Sequence, residues 1–346
     1  MTTQAPPAKL SDEYEGRTGA VLARVQALYP KLIDLSLDRL HTLLGKLGNP
    51  ERALPPVIHV AGTNGKGSTC ATLRAIAEAA GWSVHVMTSP HLVDVTERFR
   101  IAGQLVSEDA LVATLEEIER VNGDAPITVF EVLTAAGFLL FSRNAADLAI
   151  LEVGLGGRLD ATNVVERPAA CVITPVDLDH QAFLGDTLAV IAAEKAGIIK
   201  QGVPVVCAPQ NEAALAVIEA RAAACEAPLW RLGQEIGCDR HADGTLDYQD
   251  PLGVLALPAP GLKARIRLAM RLSLLRRCAR ADCLYPTRRG PGSFRLSGLR
   301  ACSALKASSR PSCQRGGNSG STADITRTQV RHLQSLSRHG RIVPCM

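Results

Sequence analysis

The chain has 346 residues, 47% of them hydrophobic and only 3% aromatic, a composition that fits an Ala/Leu/Val-rich α/β protein long enough for two domains and a sizeable core. Its longest apolar runs, such as AAGFLLF at 135–141, fall far short of the roughly 18 residues that a spanning helix needs, and the opening MTTQAPPAKLSDEYEG lacks the basic and apolar regions of a signal peptide. A cytoplasmic protein without membrane contact is expected.

In chain order, strand and helix patterns alternate. VIHVAG (57–62) reads as a short buried strand, and residues 67–80 have apolar positions at helical spacing. VHVMTS (84–89) is a second strand, followed by a turn at Pro90. Residues 107–121 place Leu111, Leu115 and Ile118 on one helical face with acids opposite, and Ser107 is suited to cap that helix. A helix over 130–143, strands over 147–154 and 171–176, a helix over 187–197, a strand over 204–209 and a helix over 211–224 complete the series. Such alternation implies a mostly parallel sheet with helices on both faces. On that architecture ligands bind beyond the carboxyl ends of the strands.

HVAGTNGKGST (59–69) lies at such an end. Gly62, Gly65 and Gly67 allow a tight turn, so that successive N–H groups of Thr63, Asn64 and the following helix start can surround phosphate oxygens. Lys66 would add a positive charge for the β- and γ-phosphates, and Ser68 and Thr69 hydroxyls for a phosphate or Mg²⁺. The usual pattern is G-x-x-x-x-G-K-[ST]. Here Val60 stands in place of its first glycine and Gly67 intervenes between Lys66 and Ser68. The strand–turn–helix order nevertheless favours a phosphate site over a plain glycine-rich turn with a surface lysine.

GTNGKGS resembles the phosphate loop of the Mur ligase superfamily. Together with HTLLGKLGNPE (41–51), TSPHLVDVTERFRI (88–101), LEVGLGGRLDATN (151–163) and DLDH followed by EKAGI (177–180 and 194–198), it resembles the folylpolyglutamate synthase and dihydrofolate synthase family over roughly residues 30–263. The resemblance implies a Mur-ligase-like central domain containing the phosphate loop. It also implies a monomeric, ATP- and Mg²⁺-dependent enzyme that joins L-glutamate to dihydropteroate or to a reduced folate. A carboxylate is a poor electrophile until ATP converts it to an acyl phosphate, so metal ions and a lysine must neutralise the negative groups gathered there. Hard oxygen ligands with some imidazole suit Mg²⁺.

By the same resemblance, Ser89, Glu152 and His180 are metal ligands, with His180 also counted among the catalytic residues beside Lys66 and Lys195. Read alone, His180 is a structural histidine and Glu152 a strand-end acid; their shared placement at strand ends argues for the metal. Lys195, in the apolar AVIAAEKAGII, reads alone as a snorkelling side chain. The family assigns it to a carbamate that turns a cation into an anionic metal bridge. Thr128, Phe130 and Asp160 match family positions near the pterin, where an aromatic face stacks the ring and a carboxylate accepts its N–H donors; Phe130 read alone is core. A peptidoglycan Mur ligase is the competing enzyme reading, disfavoured by LEVGLGGRLDATN.

The charge of the chain is unevenly spread. Residues 264–346 hold sixteen Arg and one Lys against two acids, a net +15, whereas residues 1–263 carry −11. A basic tail can bind nucleic acid through phosphates, and a truncated nucleotide binder with such a tail is the non-enzyme alternative. This one carries five scattered cysteines (Cys278, Cys283, Cys302, Cys313, Cys345) with no CxxC pair, which speaks against a zinc module or a disulfide framework. GC-rich coding DNA read out of phase yields such Arg, Ser, Pro, Gly and Cys mixtures. Codons chosen for ARIRLAMRLSL (264–274) and read two bases later spell AHQARNAALA, which resembles the family's linker GLKGAHQ..NAA.A. The expectation is therefore a domain over 1–263 and an out-of-frame, disordered tail over 264–346. The second, Rossmann-like domain of the family would be missing, and no nucleic-acid partner is expected.

Overall fold

A computed structural model describes residues 16–29, 33–251 and 253–257. The described chain begins with helices α1 (Gly16–Leu28) and α2 (Asp38–Lys46), then strand β1 (Val57–Ala61), helix α3 (Lys66–Ala79) and strand β2 (Val84–Met87). Strands β3 (Phe99–Ile101) and β4 (Gln104–Leu105) precede helices α4 (Glu108–Asn122) and α5 (Val129–Arg143). Next come strands β5 (Leu148–Glu152) and β6 (Ala170–Ile173), helices α6 (Gln181–Leu184) and α7 (Leu188–Ala196), strand β7 (Val205–Cys207) and helix α8 (Glu212–Ala224). Strands β8 (Leu229–Arg231), β9 (Gly237–Arg240), β10 (Leu246–Asp250) and β11 (Gly253–Leu257) follow.

All ten expected elements are present, with ends shifted by a few residues. Helix starts explain several of these boundaries. Ser107, Thr128, Thr187 and Asn211 each accept a backbone N–H from the first turn of α4, α5, α7 and α8, satisfying a donor that the helix itself cannot.

The strands assemble in the order β4-β3-β2-β5-β1-β6-β7-β8. Pairings from β2 through β8 are parallel, and β3 and β4 add an antiparallel edge. Strands β1, β5 and β6 are buried along their whole length, as strands covered on both faces must be. Alternation divides their side chains. Ile58, Val60, Val86, Ile150 and Val172 pack with Cys70 and Leu73 of α3 on one face, where Tyr248 of β10 joins them. On the other face, Val57, Ala149 and Leu151 meet α1, α2, α4 and α5, while Cys171, Ile173 and Val205 meet α7 and α8.

The chain leaves β1 for α3 and β2 on one side of the sheet and later adds β6, β7 and β8 on the other. The order reverses at β1, and the crevice beyond its carboxyl end is the natural ligand position. No described helix is long and apolar enough to cross a membrane. The boundary expected at residue 263 and the tail 264–346 lie outside the described residues.

Candidate functional site

Strand β1 ends at Ala61 and α3 begins at Lys66, so Gly62, Thr63, Asn64 and Gly65 form the turn while Gly67, Ser68 and Thr69 fall inside the first helical turn. Gly62 has φ 140°, and a Cβ there would stand 1.9 Å from Thr174 Oγ1; only glycine lets the turn lie against β6. The turn is laced to the segment after β6: Thr63 N and Asn64 N donate to Pro175 O, and Thr63 Oγ1 donates to Asp177 O at 3.1 Å. Gly65 adopts the left-handed conformation (φ 85°) and opens α3 with no side-chain cap. This contrasts with the capped starts of α4, α5, α7 and α8. The leading N–H groups and the positive end of the α3 dipole are thus left for an external acceptor.

Both predicted lysines reach this turn. Lys66 Nζ donates to Gly62 O (3.1 Å) and Thr63 O (3.3 Å), and Lys195 Nζ, brought from α7, donates to the same Gly62 O at 3.0 Å. Lys195 is buried, and its ammonium is pushed down to about 8, mainly by loss of hydration and further by the charge of Lys66. The hydroxyls of Ser68 and Thr69 turn back to Gly65 O, at 3.1 and 2.8 Å.

Glu152, the last residue of β5, is 4% exposed and lies beneath the first turn of α3, 3.7 Å from where a Cβ on Gly67 would be. Burial raises its carboxyl to about 6, against the opposing pull of Lys66 and the Ser89 N–H. Ser89 N donates to Glu152 Oε2 at 3.3 Å, and Ser89 Oγ is buried without a partner among the described residues. An orphan hydroxyl beside a carboxylate whose burial disfavours its charge is a donor set for a hard cation.

His180 does not join them. It is exposed, in the left-handed region (φ 48°), with Nε2 3.6 Å from Asp179 Oδ2. Among the described residues no group of three or more His, Cys, Asp and Glu side chains could hold a metal. Two of the three expected ligands are brought together, and the third is directed to its sequence neighbour.

The expected pterin side takes a different shape. Thr128 caps α5 in a reciprocal box: its hydroxyl accepts Glu131 N, and its own N–H donates to Glu131 Oε2 at 2.7 Å. Phe130 packs against Gly154, where a Cβ would stand 2.4 Å from Phe130 Cζ. Asp160 is 2% exposed; Oδ2 accepts Gly154 N (3.0 Å) and Leu155 N (2.9 Å), while Oδ1 accepts the N–H and hydroxyl of Thr162. These hydrogen bonds shape the loop after β5 around the carboxylate. Phe130 and Asp160 still meet, through Gly154.

Two further features had no sequence signal. His59 of β1 is fully buried with Nε2 2.8 Å from Thr162 Oγ1, and burial lowers it to about 3. Arg39 of α2 grips Glu131 with Nε at 3.2 Å and Nη2 at 3.1 Å, and Asp34 through Nη1 at 3.1 Å. It thereby ties the 34–39 segment to the start of α5. Neither the His59–Thr162 nor the Arg39–Glu131 contact is readable from spacing, because those partners lie about 90 to 100 residues apart.

Comparison with known proteins agrees with this geometry. The Mur ligase middle domain matches residues 60–250. The dihydrofolate synthase/folylpolyglutamate synthase of Escherichia coli strain K12 is 47% identical over 185 residues, covering 54% of this chain and 43% of that protein. A structure of E. coli FolC in complex with DHPP and ADP superposes with a TM-score of 0.70 at 36% identity, covering 87% of this chain and 66% of the other. A bifunctional folylpolyglutamate synthase/dihydrofolate synthase with Mn, AMPPNP and L-glutamate bound gives 0.69 at 33% identity, covering 89% of this chain and 68% of the other. The chain spans less than half the length of the curated E. coli relative. The uncapped α3 turn, the lysines upon it and these matches place the chain in the folylpolyglutamate synthase/dihydrofolate synthase family of Mur-type ligases.

Proposed function

We propose that the site serves an ATP-dependent ligase that joins L-glutamate to a folate-pathway carboxylate, either dihydropteroate or the γ-carboxyl of a reduced folate. The observation that carries this reading is the uncapped start of α3, with Lys66 on its turn and the Ser89–Glu152 pair beneath it. On this reading the free N–H groups at the start of α3 receive the nucleotide phosphates, and Lys66 leaves the Gly62 and Thr63 carbonyls for the terminal phosphate. Ser89 Oγ and Glu152 would hold a divalent cation, which when bound supplies charge neutralisation between phosphate oxygens and the reacting carboxylate. His180, set beside Asp179 in the structure, would join them only after the 177–180 segment rearranges.

Lys195 carries the second part of the proposal. An amine lowered to about 8 has a substantial neutral fraction near pH 7.5. Its lone pair can add to the carbon of CO₂, releasing the amine proton to solvent and leaving a carbamate anion facing the same turn. The two relatives whose structures contain ADP with DHPP and AMPPNP with Mn and L-glutamate support the nucleotide, metal and substrate assignments.

The test is ADP release from ATP, Mg²⁺ and L-glutamate in the presence of dihydropteroate or tetrahydrofolate. Release that requires both glutamate and the pteridine supports the proposal; release driven instead by a UDP-linked peptide precursor would replace it with a peptidoglycan ligase. Lys195→Ala should lose activity that bicarbonate or a small carboxylate partly restores, and unchanged activity would remove the carbamate. We further propose the division into a ligase domain over 1–263 and an out-of-frame segment over 264–346. Peptide mapping of the natural gene product decides it: fragments such as ADCLYPTR in a 36.7 kDa protein would make the segment genuine, and a longer product with an AHQ-type linker would bear out the proposed frame change.

A further inference from the structure

Beside the Ser89–Glu152 pair lies a half-open cleft of about 330 Å³, between α3 and the β2–β3 edge. Its wall includes Gly67, Ser89 and Glu152 at the nucleotide end, and Arg74 of α3 and Arg100 of β3 farther along. Small-molecule sites run from about 300 to 1,000 Å³, so this one suits an amino-acid-sized group rather than a nucleotide or a pteridine.

The two arginines are more loosely paired than several others among the described residues. Arg24, Arg143 and Arg158 each hold a carboxylate oxygen within 2.8 Å, and Arg17 and Arg231 are paired still more closely with Asp109 and with Glu219 and Glu235. Arg74 reaches its carboxylate, Glu78, only at 3.9 Å, and its Nε is buried without a hydrogen bond among the described residues. Arg100 makes one long contact, Nη1 to Gly103 O at 3.5 Å. Both side chains are half-buried, and Arg100 is lowered by burial and by the proximity of Arg74, against the opposing pull of Glu78. A guanidinium pair of this kind is a ready fork for a carboxylate, which would relieve their repulsion and complete their hydrogen bonding. The acids on the wall do not serve that purpose. Glu97 is engaged by the N–H groups of Leu92 and Asp94, and Glu152 faces Ser89 and Lys66.

We propose that this cavity seats the terminal glutamyl unit of a pteroylglutamate, with its α-carboxylate between Arg74 and Arg100 and its γ-carboxylate toward Ser89, Glu152 and the start of α3. The assignment rests on the folate-ligase reading above and sharpens it. Dihydropteroate has a single carboxylate, the one that reacts, and has no group for the arginine fork. Dihydrofolate is the same molecule extended by one glutamyl unit and does have one. The cavity therefore separates the two substrate classes by whether a second carboxylate is present.

The experiment measures the affinity of the full chain for dihydropteroate and for dihydrofolate, each with MgADP present, in wild type and in Arg74→Gln, Arg100→Gln and the double variant. Dihydrofolate should weaken by about tenfold or more in each single variant, while dihydropteroate stays within about twofold of wild type. Equal weakening of both ligands, or no weakening of either, overturns the cavity assignment and leaves the ligase reading standing. Failure of the wild-type chain to bind either pteridine overturns the ligase reading, and this assignment with it. Arg100→Lys keeps the charge and loses the fork, so an intermediate loss confined to dihydrofolate supports recognition by geometry. A thermal midpoint for each variant separates lost recognition from lost folding.

Discussion

Two residues at the end of β1 illustrate how little freedom the site has. His59 holds Thr162 with one ring nitrogen and has no partner on the other among the described residues, in a position without solvent. Its folded value of about 3 lies below the ordinary 6.5, so the unfolded chain takes up a proton first as pH falls. Stability from this group is complete above about pH 6.5 and drains away as pH falls toward 3, by on the order of 4–5 kcal/mol. Denaturant titrations at pH 7 and pH 4 should show a smaller acid loss for His59→Gln than for wild type, and equal losses would refute the role given to His59. Gly62 is constrained by space rather than charge. Gly62→Ala would drive a methyl group into Thr174 and its backbone, and the turn must move to accept it. Affinity for MgADP should fall more than about tenfold, while the far core, built on α4 and α5, keeps its packing; an isothermal titration with undiminished affinity would show that the turn tolerates displacement. At this scale the placement of Gly62, Lys66 and Glu152 was legible because it follows from local order: a turn after a strand, a helix start, a strand end. The hydrogen bonds of Asp160 were not legible: its partners Gly154, Leu155 and Thr162 are near in sequence, but its burial depends on the loop after β5 folding against the sheet.

Among the elements, α5 shows how a helix start is held. The Thr128 hydroxyl and Glu131 close a capping box that Arg39 then grips. Thr128→Ala should cost about 1 kcal/mol, the usual value of an N-cap, and Thr128→Ser should restore most of it. Glu131→Ala should cost more, because it removes the cap and also leaves Arg39 short of a buried partner. Thermal or denaturant midpoints check the ranking; a Thr128→Ser protein as unstable as Thr128→Ala would place the requirement on the methyl group instead. The ten elements legible from the sequence have either long apolar runs, like β5 and α5, or a polar cap followed by helical spacing, like α4 and α8. Those not read lack such cues. Helix α1 has no acidic residue in its first turn and buries Thr18 and Gly19, and β9 and β10 are polar segments, GCDR and LDYQD, that pair only with one another and β11. Their strand character comes from hairpin pairing, which no short window of sequence contains.

For the molecule as a whole, the parallel sheet, the reversal at β1 and the uncapped helix converge on one crevice, so ligand binding there should be felt as global stability. A ligand that binds only the folded chain stabilises it by about 2.7 kcal/mol at a hundredfold excess over its Kd. At roughly 2–4 °C per kcal/mol for a domain of this size, MgADP should raise the melting midpoint by roughly 5–10 °C. The variants then separate the contributions of the turn and the cation pair. Lys66→Ala should abolish most of the shift with or without Mg²⁺, because it removes the charge carried to the phosphates. Glu152→Gln should retain the shift produced by ADP alone and lose the additional increment that Mg²⁺ gives the wild type, because the orphan Ser89 hydroxyl is left without its carboxylate. A Mg²⁺ increment that survives Glu152→Gln would move the cation away from β5 and back toward the 177–180 segment, where His180 and Asp179 stand together at the opposite rim of the same turn.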